Sequence, residues 1–136
     1  MRYLCWGIIL LCFPLWGMGQ SEISLQEAVE KGWVASRVVG LGGYNGVAIE
    51  LSLKSRTSSA LKVEVPAGWT FGSEDSSVQN LMVTYPVVID LPPRGVARDS
   101  LRTVCTQRNN MGPKRGERFR IGEMASQRLR RLAGVI

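Results

Sequence analysis

Two short segments in which apolar and polar residues alternate constrain the fold of this chain more than any other feature. In residues 49–54 and again in 61–65, every second side chain is apolar and those between them are polar. A period of two places the apolar side chains of a β-strand on one face and the polar ones on the other. Two half-buried strands are only marginally stable, so we expect the rest of the chain to supply a second layer.

The turn residues predict further short strands. Pro66-Ala67-Gly68 ends the segment 61–65, because proline cannot donate to a strand ladder and glycine tolerates a positive φ. The glycine-rich segment 42–46 predicts a hairpin turn, since a phosphate-binding loop would open onto a helix and carry a lysine. Further strand patterns cover 33–41, 78–85, 87–91 and 96–105.

A short helix is predicted ahead of the first of these strands. Ser24-Leu25-Gln26-Glu27 has the capping-box pattern, in which the Ser24 hydroxyl accepts from the Glu27 amide and the Glu27 carboxylate reaches back to the Ser24 amide. Gly32 stands where the end of a helix favours a positive φ. We expect this helix to pack on one end of the strands.

A resemblance follows from two of these motifs. The stretch L-K-V-E-V-P-A-G-W-T-F (Leu61 to Phe71) and the later L-P-P-R-G (Leu91 to Gly95) resemble the extracytoplasmic Ig-like domains of bacteria, over roughly Val34 to Cys105. The resemblance implies that the segments 49–54 and 61–65 lie in different sheets rather than in one hairpin. It implies spacer, adhesin or assembly roles and brings no catalytic residues.

The N-terminus predicts export. Arg2 precedes an almost wholly apolar run, Tyr3 to Trp16, and Gly17-Met18-Gly19 offers the small residues that a signal peptidase reads. The alternative is a retained anchor, but the run is shorter than the roughly 20 residues of a spanning helix and contains Pro14. We therefore expect a signal peptide over 1–19 and a periplasmic or extracellular product after cleavage near Gly19.

After that cleavage Cys105 is the one cysteine left. It is either buried as a small apolar residue or paired between chains, and its place at the end of a strand favours burial. In the strand pattern 96–105 we expect Leu101, Thr103 and Cys105 to face inward, and Arg98 and Arg102 to face outward.

The composition argues against catalysis. The chain contains no histidine, which removes Ser-His and Cys-His nucleophile pairs and every histidine-dependent metal site. Glu74 and Asp75 are adjacent carboxylates, but the alternating oxygen ligands of a calcium loop are missing. We expect no catalytic residue, no cofactor and no metal site.

Positive charge is concentrated at the C-terminal end. Residues 102–136 contain nine basic and two acidic residues, whereas 20–101 contain seven basic and nine acidic ones. Apolar residues at spacings of three and four from Ile121 to Ile136 predict an amphipathic helix with arginines opposite. Its candidate contact residues, with those of the preceding loop, are Arg108, Lys114, Arg115, Arg118, Arg120, Arg128, Arg130 and Arg131.

Three interpretations of this helix stay open. It packs on the strands and leaves its arginines in solvent, it docks a partner protein, or it binds anionic lipid or polysaccharide. Nucleic acid is disfavoured, because the signal peptide directs the chain away from it and the segment lacks aromatic residues for base stacking.

Together these patterns predict a mostly β fold: an antiparallel Ig-like β-sandwich of six to seven strands, with a short N-terminal helix and a C-terminal amphipathic helix. The expected segments are a signal peptide (1–19), a capping helix (20–32), the sandwich (33–106) and a basic loop and helix (107–136). The expected function is a non-enzymatic interaction or structural module of the cell envelope, whose partner is another protein or a downstream envelope component. The alternative is a protein that binds a polyanion or a membrane surface through its basic C-terminal helix.

Overall fold

In a computed structural model of the chain, residues 21–43 and 45–135 are described. The predicted signal peptide, its cleavage site, and the positions of Tyr44 and Ile136 lie outside the described residues. The elements within them are β1 (Ser21–Ser24), α1 (Leu25–Glu30), β2 (Val34–Gly40), β3 (Asn45–Ser55), β4 (Leu61–Val65), β5 (Trp69–Ser73), β6 (Leu81–Val83), β7 (Val87–Leu91), β8 (Val96–Cys105), β9 (Arg118–Met124) and α2 (Gln127–Leu132).

Six of the described strands form a closed antiparallel barrel in the order β2-β3-β8-β6-β5-β9. The other three form a small sheet, β1-β4-β7, in which β1 runs parallel to β4 and β7 runs antiparallel to it. The segments 49–54 and 61–65 therefore lie in different sheets. The expected Ig-like sandwich is wrong, because β9 pairs with both β2 and β5 and so closes the main sheet on itself.

One apolar core joins the barrel and the small sheet. Leu51 and Phe71 of the barrel and Val63 and Ile89 of the small sheet belong to the same buried cluster. The alternation in the sequence explains how the small sheet contributes to this core, because β4 buries every second residue and leaves Glu64 exposed. In β8, Leu101 and Thr103 are buried while Arg98 and Arg102 are exposed, as their positions in the alternation predict.

Helix α1 packs beside the small sheet. The Ser24 hydroxyl accepts from the Glu27 amide at 3.2 Å, and Leu25 and Ala28 are buried. The carboxylate of Glu27 pairs with Lys31 at 2.8 Å. Gly32 follows with a φ of 70°, in the region that ends helices.

The predicted C-terminal amphipathic helix is also wrong. Residues Arg118–Met124 form strand β9, and α2 is confined to Gln127–Leu132, where Leu132 is 77% exposed. In β9, Phe119 is buried and Ile121 packs against the core, while Arg118 and Arg120 are exposed between them. A period of two is typical of a β-strand. Burial of Phe119 in the barrel favours the strand over the helix that apolar residues at spacings of three and four predict.

A glycine allows β9 to fit against β5. A Cβ at Gly122 would lie 2.7 Å from both the carbonyl oxygen and the Oγ1 of Thr70. The register between the two strands shifts at this point, and Thr70 Oγ1 donates to the Glu123 carbonyl at 2.7 Å. Glycine also disfavours a helix interior by about 1 kcal/mol relative to alanine, which works against the predicted helix.

Candidate functional site

A cleft opens where β2 and β9 meet. Their ladder consists of two residue pairs, Val38 with Phe119 and Val39 with Arg118, and the two strands separate on the side of Ser36 and Arg37. The resulting cavity has a volume of about 420 Å³. Its lining residues are Ser36, Arg37, Val38, Glu74, Arg118 and Phe119.

Local sequence places two arginines at this cleft. Val39 and Arg118 are register partners and therefore share a face of the barrel wall, and Arg37 lies on that face two residues earlier in β2. Val38 and Phe119, which alternate with them, are buried. The arginine side chains are thus directed away from the core by the residues that close the barrel.

A close backbone contact holds the start of β9 against β2. The Gly40 amide donates to the Glu117 carbonyl at 2.7 Å, and the Gly116 amide donates to the Gly40 carbonyl at 2.9 Å. A Cβ at Gly40 would lie 2.5 Å from the Lys114 carbonyl oxygen, so a larger residue would push the two segments apart. Glycine at position 40 is therefore part of what positions Arg118.

The charges at the cleft are not neutralised by close pairing. Arg37 and Arg118 are exposed, and within residues 21–43 and 45–135 neither guanidinium has a carboxylate within 4.0 Å. Glu74 lines the same cleft and contributes one negative charge. We call Arg37, Arg118 and Arg120 the basic face.

Positive charge continues from the basic face across the neighbouring strands. Ser52 of β3 is the register partner of Arg37 on one side and of Arg98 on the other, so the three side chains form one row on the outer surface. Two strand spacings separate the arginines at the backbone, which is about 10 Å. Lys54 lies two residues along β3 on the same face, and Glu50 is the acidic residue on the other side of the row.

The eight basic residues predicted from the sequence do not share one helix face. Arg118 and Arg120 lie on β9, Lys114 and Arg115 lie in the loop before it, and Arg108 lies in the loop after β8. Arg128 and Arg131 are exposed on α2.

Arg130 has a structural contact instead. Its Nε donates to the Ala125 carbonyl at 3.1 Å, and its side chain packs over Gly68, where an added Cβ would lie 2.5 Å from Arg130 Cδ. Gly68 has a φ of 89°, as the turn at 66–68 predicts. Arg130 therefore fastens α2 to this turn and contributes little to an open contact surface.

The sequence predicts that Arg98 faces outward, but it marks neither Arg98 nor Arg37 as a contact residue. Both lie at exposed positions of predicted strands, so the alternation of apolar and polar residues is enough to predict that their side chains face outward. What the sequence did not reveal is the closure of the barrel, which brings β9 beside β2.

The loop that carries Glu74 is hydrogen-bonded to the segment that precedes β9. Residues 78 and 111 form an isolated bridge, the Met111 amide donates to the Ser77 carbonyl at 2.9 Å, and the Gln79 amide donates to the Met111 carbonyl at 2.9 Å. The Gln79 side chain, which is buried, donates to the Asn110 carbonyl at 2.9 Å and accepts from the Gln107 amide at 3.0 Å.

Asp75 also stabilises this loop through hydrogen bonds. Its carboxylate accepts from the Ser77 hydroxyl at 2.7 Å and from the Ser77 amide at 2.9 Å. These hydrogen bonds, with a smaller contribution from the charge of Lys114, lower the pKa of Asp75. The neighbouring Glu74 and Asp75 thus differ in role, since Glu74 lines the cleft and Asp75 stabilises a turn.

Cys105 lies at the end of β8, opposite Leu81 of β6, and is half-buried against the core. Burial raises the pKa of its thiol. Two other findings concern metal ions and membrane-spanning helices. Within the described ranges, no group of three or more histidine, cysteine, aspartate or glutamate side chains is placed to hold a metal ion. Over the same residues, neither helix has the length and apolarity needed to cross a membrane.

Comparisons with protein-family models, with curated proteins and with solved structures found no match.

Proposed function

We propose that this protein is a non-enzymatic binding module of the cell envelope that holds an anionic polymer on its basic face. The observation that carries the proposal is the position of Arg118 beside Arg37 at the β2–β9 cleft, with no close carboxylate partner among the described residues. Guanidinium groups form bidentate hydrogen bonds with carboxylate, sulfate and phosphate groups. Two neighbouring arginines therefore suit a ligand with repeated anionic groups.

The shape of the surface favours an extended ligand. Arg118 and Arg37 lie on adjacent strands, and Arg98 continues the positive charge two strands away. An acidic polysaccharide, or a layer of anionic lipid headgroups, presents charges over such distances. A single small anion would contact one part of the surface and would be held weakly in water.

The envelope location rests on the N-terminal pattern. The charged residue, the apolar run and the small residues before position 20 are those of an exported protein. In that compartment, acidic polysaccharides and anionic headgroups are the abundant polyanions. The proposal retains polyanion binding but moves it from the predicted C-terminal helix to the barrel wall.

The experiment compares two double variants that each remove two positive charges. Arg37→Gln with Arg118→Gln alters the basic face, and Arg128→Gln with Arg131→Gln alters α2. Salt-gradient elution from immobilised heparin, used as a probe polyanion, measures retention. Losing two exposed charge contacts should weaken binding about fivefold, so we expect the first variant to elute earlier and the second to elute near the unmodified protein.

Two outcomes would contradict the proposal. If both variants elute earlier by the same amount, only net charge matters and the basic face has no special role. If the α2 variant alone elutes earlier, the contact surface is the helix. Circular dichroism of each variant shows whether its β-structure is unchanged.

A further inference from the structure

Strand β8 has an open edge. On one side it pairs with β3 from Val96 to Val104, whereas on the other side β6 pairs with it only from Thr103 to Cys105. Between Val96 and Leu101, that second edge forms no ladder with any strand of the described residues, although β7, the edge strand of the small sheet, passes beside β8. An edge of this kind presents a row of backbone donors and acceptors to another chain.

The hydrogen bonds show which residues face this edge. The Arg102 carbonyl accepts from the Thr84 amide, just beyond β6, at 2.9 Å. In an antiparallel ladder, alternate residues direct both backbone groups to the same side, so Ser100 and Arg98 face the same way as Arg102. The Ser100 amide bonds to the carboxylate of its neighbour Asp99 at 2.8 Å, in the place where a strand carbonyl would otherwise accept.

The edge is accessible and borders a second cavity. Arg98, Asp99 and Ser100 are three consecutive exposed residues. The adjoining cavity, of about 490 Å³, is lined by Tyr85, Val87, Ser100 and Arg102. Tyr85 is 62% exposed, and the Arg102 guanidinium lies 5.8 Å from the centre of its ring. An aromatic ring and an arginine thus flank the point where β6 ends.

Charge determines what can occupy this edge. If two copies of the chain paired antiparallel about Ser100, Arg98 of each would lie opposite Arg102 of the other, and like charges in register are destabilising. Pairing about Arg98 would place the two copies of Arg98 opposite each other. Acidic residues lie nearby as well, because Asp99 precedes Ser100 in β8 and Glu50 is the register partner of Ser100 on β3. Glu50 is two strand spacings from an added strand, and the two arginines of β8 outnumber Asp99. The edge therefore disfavours a second copy in these registers and favours a strand with acidic side chains.

We infer that an extended segment of a partner protein, carrying carboxylates at alternate positions, adds as a strand to the edge of β8. A carboxylate opposite Ser100 is diagonal to both Arg98 and Arg102, within reach of their long side chains. Apolar side chains of the same segment contact Tyr85 and Val87 in the cavity. Strand addition of this kind takes its affinity from backbone hydrogen bonds and its selectivity from side chains.

This partner surface goes beyond the polyanion site, because it needs backbone pairing along the edge of β8, although Arg98 borders both surfaces. The probe is a fluorescent peptide of alternating valine and glutamate, with a valine–lysine peptide of the same length for comparison. Fluorescence anisotropy measures binding to the purified protein. We expect the acidic peptide to bind and the basic one not to bind.

The main variant is Ser100→Pro. Proline removes the amide that an added strand would use, and it is tolerated at strand edges where that amide does not serve the existing ladder. With one or two hydrogen bonds lost, binding of the acidic peptide should fall about tenfold. Retention on heparin should be unchanged, and the Arg37→Gln, Arg118→Gln variant should bind the peptide as before.

A second variant keeps the test decisive if Ser100→Pro does not fold. Arg98→Glu with Arg102→Glu should abolish binding of the acidic peptide and create binding of the basic one. The inference is overturned if folded Ser100→Pro binds the acidic peptide normally, if the charge reversal changes nothing, or if both peptides bind alike. It is equally overturned if sedimentation shows a dimer that Ser100→Pro dissociates, because the occupant is then a second copy.

Discussion

Thr103 lies inside the barrel with a buried hydroxyl that has no hydrogen-bond partner among the described residues. A buried unpaired hydroxyl is unfavourable, while a methyl group of the same size is not. We expect Thr103→Val to raise the free energy of unfolding by about 1 kcal/mol in urea denaturation.

Thr70→Val is the matched comparison. The Thr70 hydroxyl donates to the Glu123 carbonyl and accepts from its amide, which joins β5 to β9. The same chemical change should therefore lower the free energy of unfolding at position 70. A loss of stability in Thr103→Val would show that its hydroxyl is hydrogen-bonded in solution.

Cys105 gives a prediction on pH. Burial raises the pKa of its thiol above the ordinary value of 9.0, so alkylation by iodoacetamide at pH 7 should be much slower in the native protein than in urea. As pH rises past 9.0 the unfolded thiol ionises first. The unfolded state then binds fewer protons, and the free energy of unfolding should fall with pH relative to Cys105→Ser.

The measurements are alkylation rates and urea denaturation between pH 7 and 10. Equal alkylation rates in native and unfolded protein would contradict the half-buried position. A flat difference between the two proteins across this pH range would show that the thiol does not titrate differently on folding.

At the scale of the element, β9 is the decisive segment. Its sequence satisfies two periodicities, because Phe119 and Ile121 alternate with arginines while Ile121 and Met124 also fit a helical spacing. Local pattern cannot choose between them. Pairing with β2 and β5, which are distant in the chain, settles the choice by burying Phe119.

Two truncations separate the strand from the predicted helix. Phe119 is 5% exposed and Leu132 is 77% exposed, although the helix pattern places Leu132 on the apolar stripe. We expect Phe119→Ala to lower the free energy of unfolding by about 3–5 kcal/mol and Leu132→Ala to change it by less than about 0.5 kcal/mol. Urea denaturation measures both, and a larger effect at Leu132 than at Phe119 would contradict the assignment of β9.

Much of the strand layout could be read from the sequence. The alternation in 49–54, 61–65, 87–91 and 96–105 matches β3, β4, β7 and β8, and Gly32 and Gly68 adopt the positive φ that their positions suggest. In the turn at 92–95, Arg94 rather than the glycine has a positive φ. The way in which strands join into sheets could not be read, since register and closure depend on contacts between distant residues. For the same reason, the sequence predicts a contact role for Arg118 but not for its neighbour Arg37.

At the scale of the whole molecule, the barrel and the small sheet share one core and leave two surfaces of different kinds. The β2–β9 cleft presents arginines on paired strands, and the edge of β8 between Arg98 and Arg102 presents backbone groups that are not in a ladder. The role proposed for a chain with both surfaces is to be held on a polyanionic layer while it engages a protein strand. Closure by β9 is what creates the first surface.

An NMR titration of the isotope-labelled protein with a heparin hexasaccharide tests this central claim most directly. Before addition, cross-strand contacts between the backbones of residues 38–39 and 118–119 should establish the closed barrel. On addition, we expect the largest shifts at the amide and Nε groups of Arg37 and Arg118, with small ones at Arg128 and Arg131. Helical contacts across 121–132, or shifts confined to α2, would contradict both the closure and the binding face that depends on it.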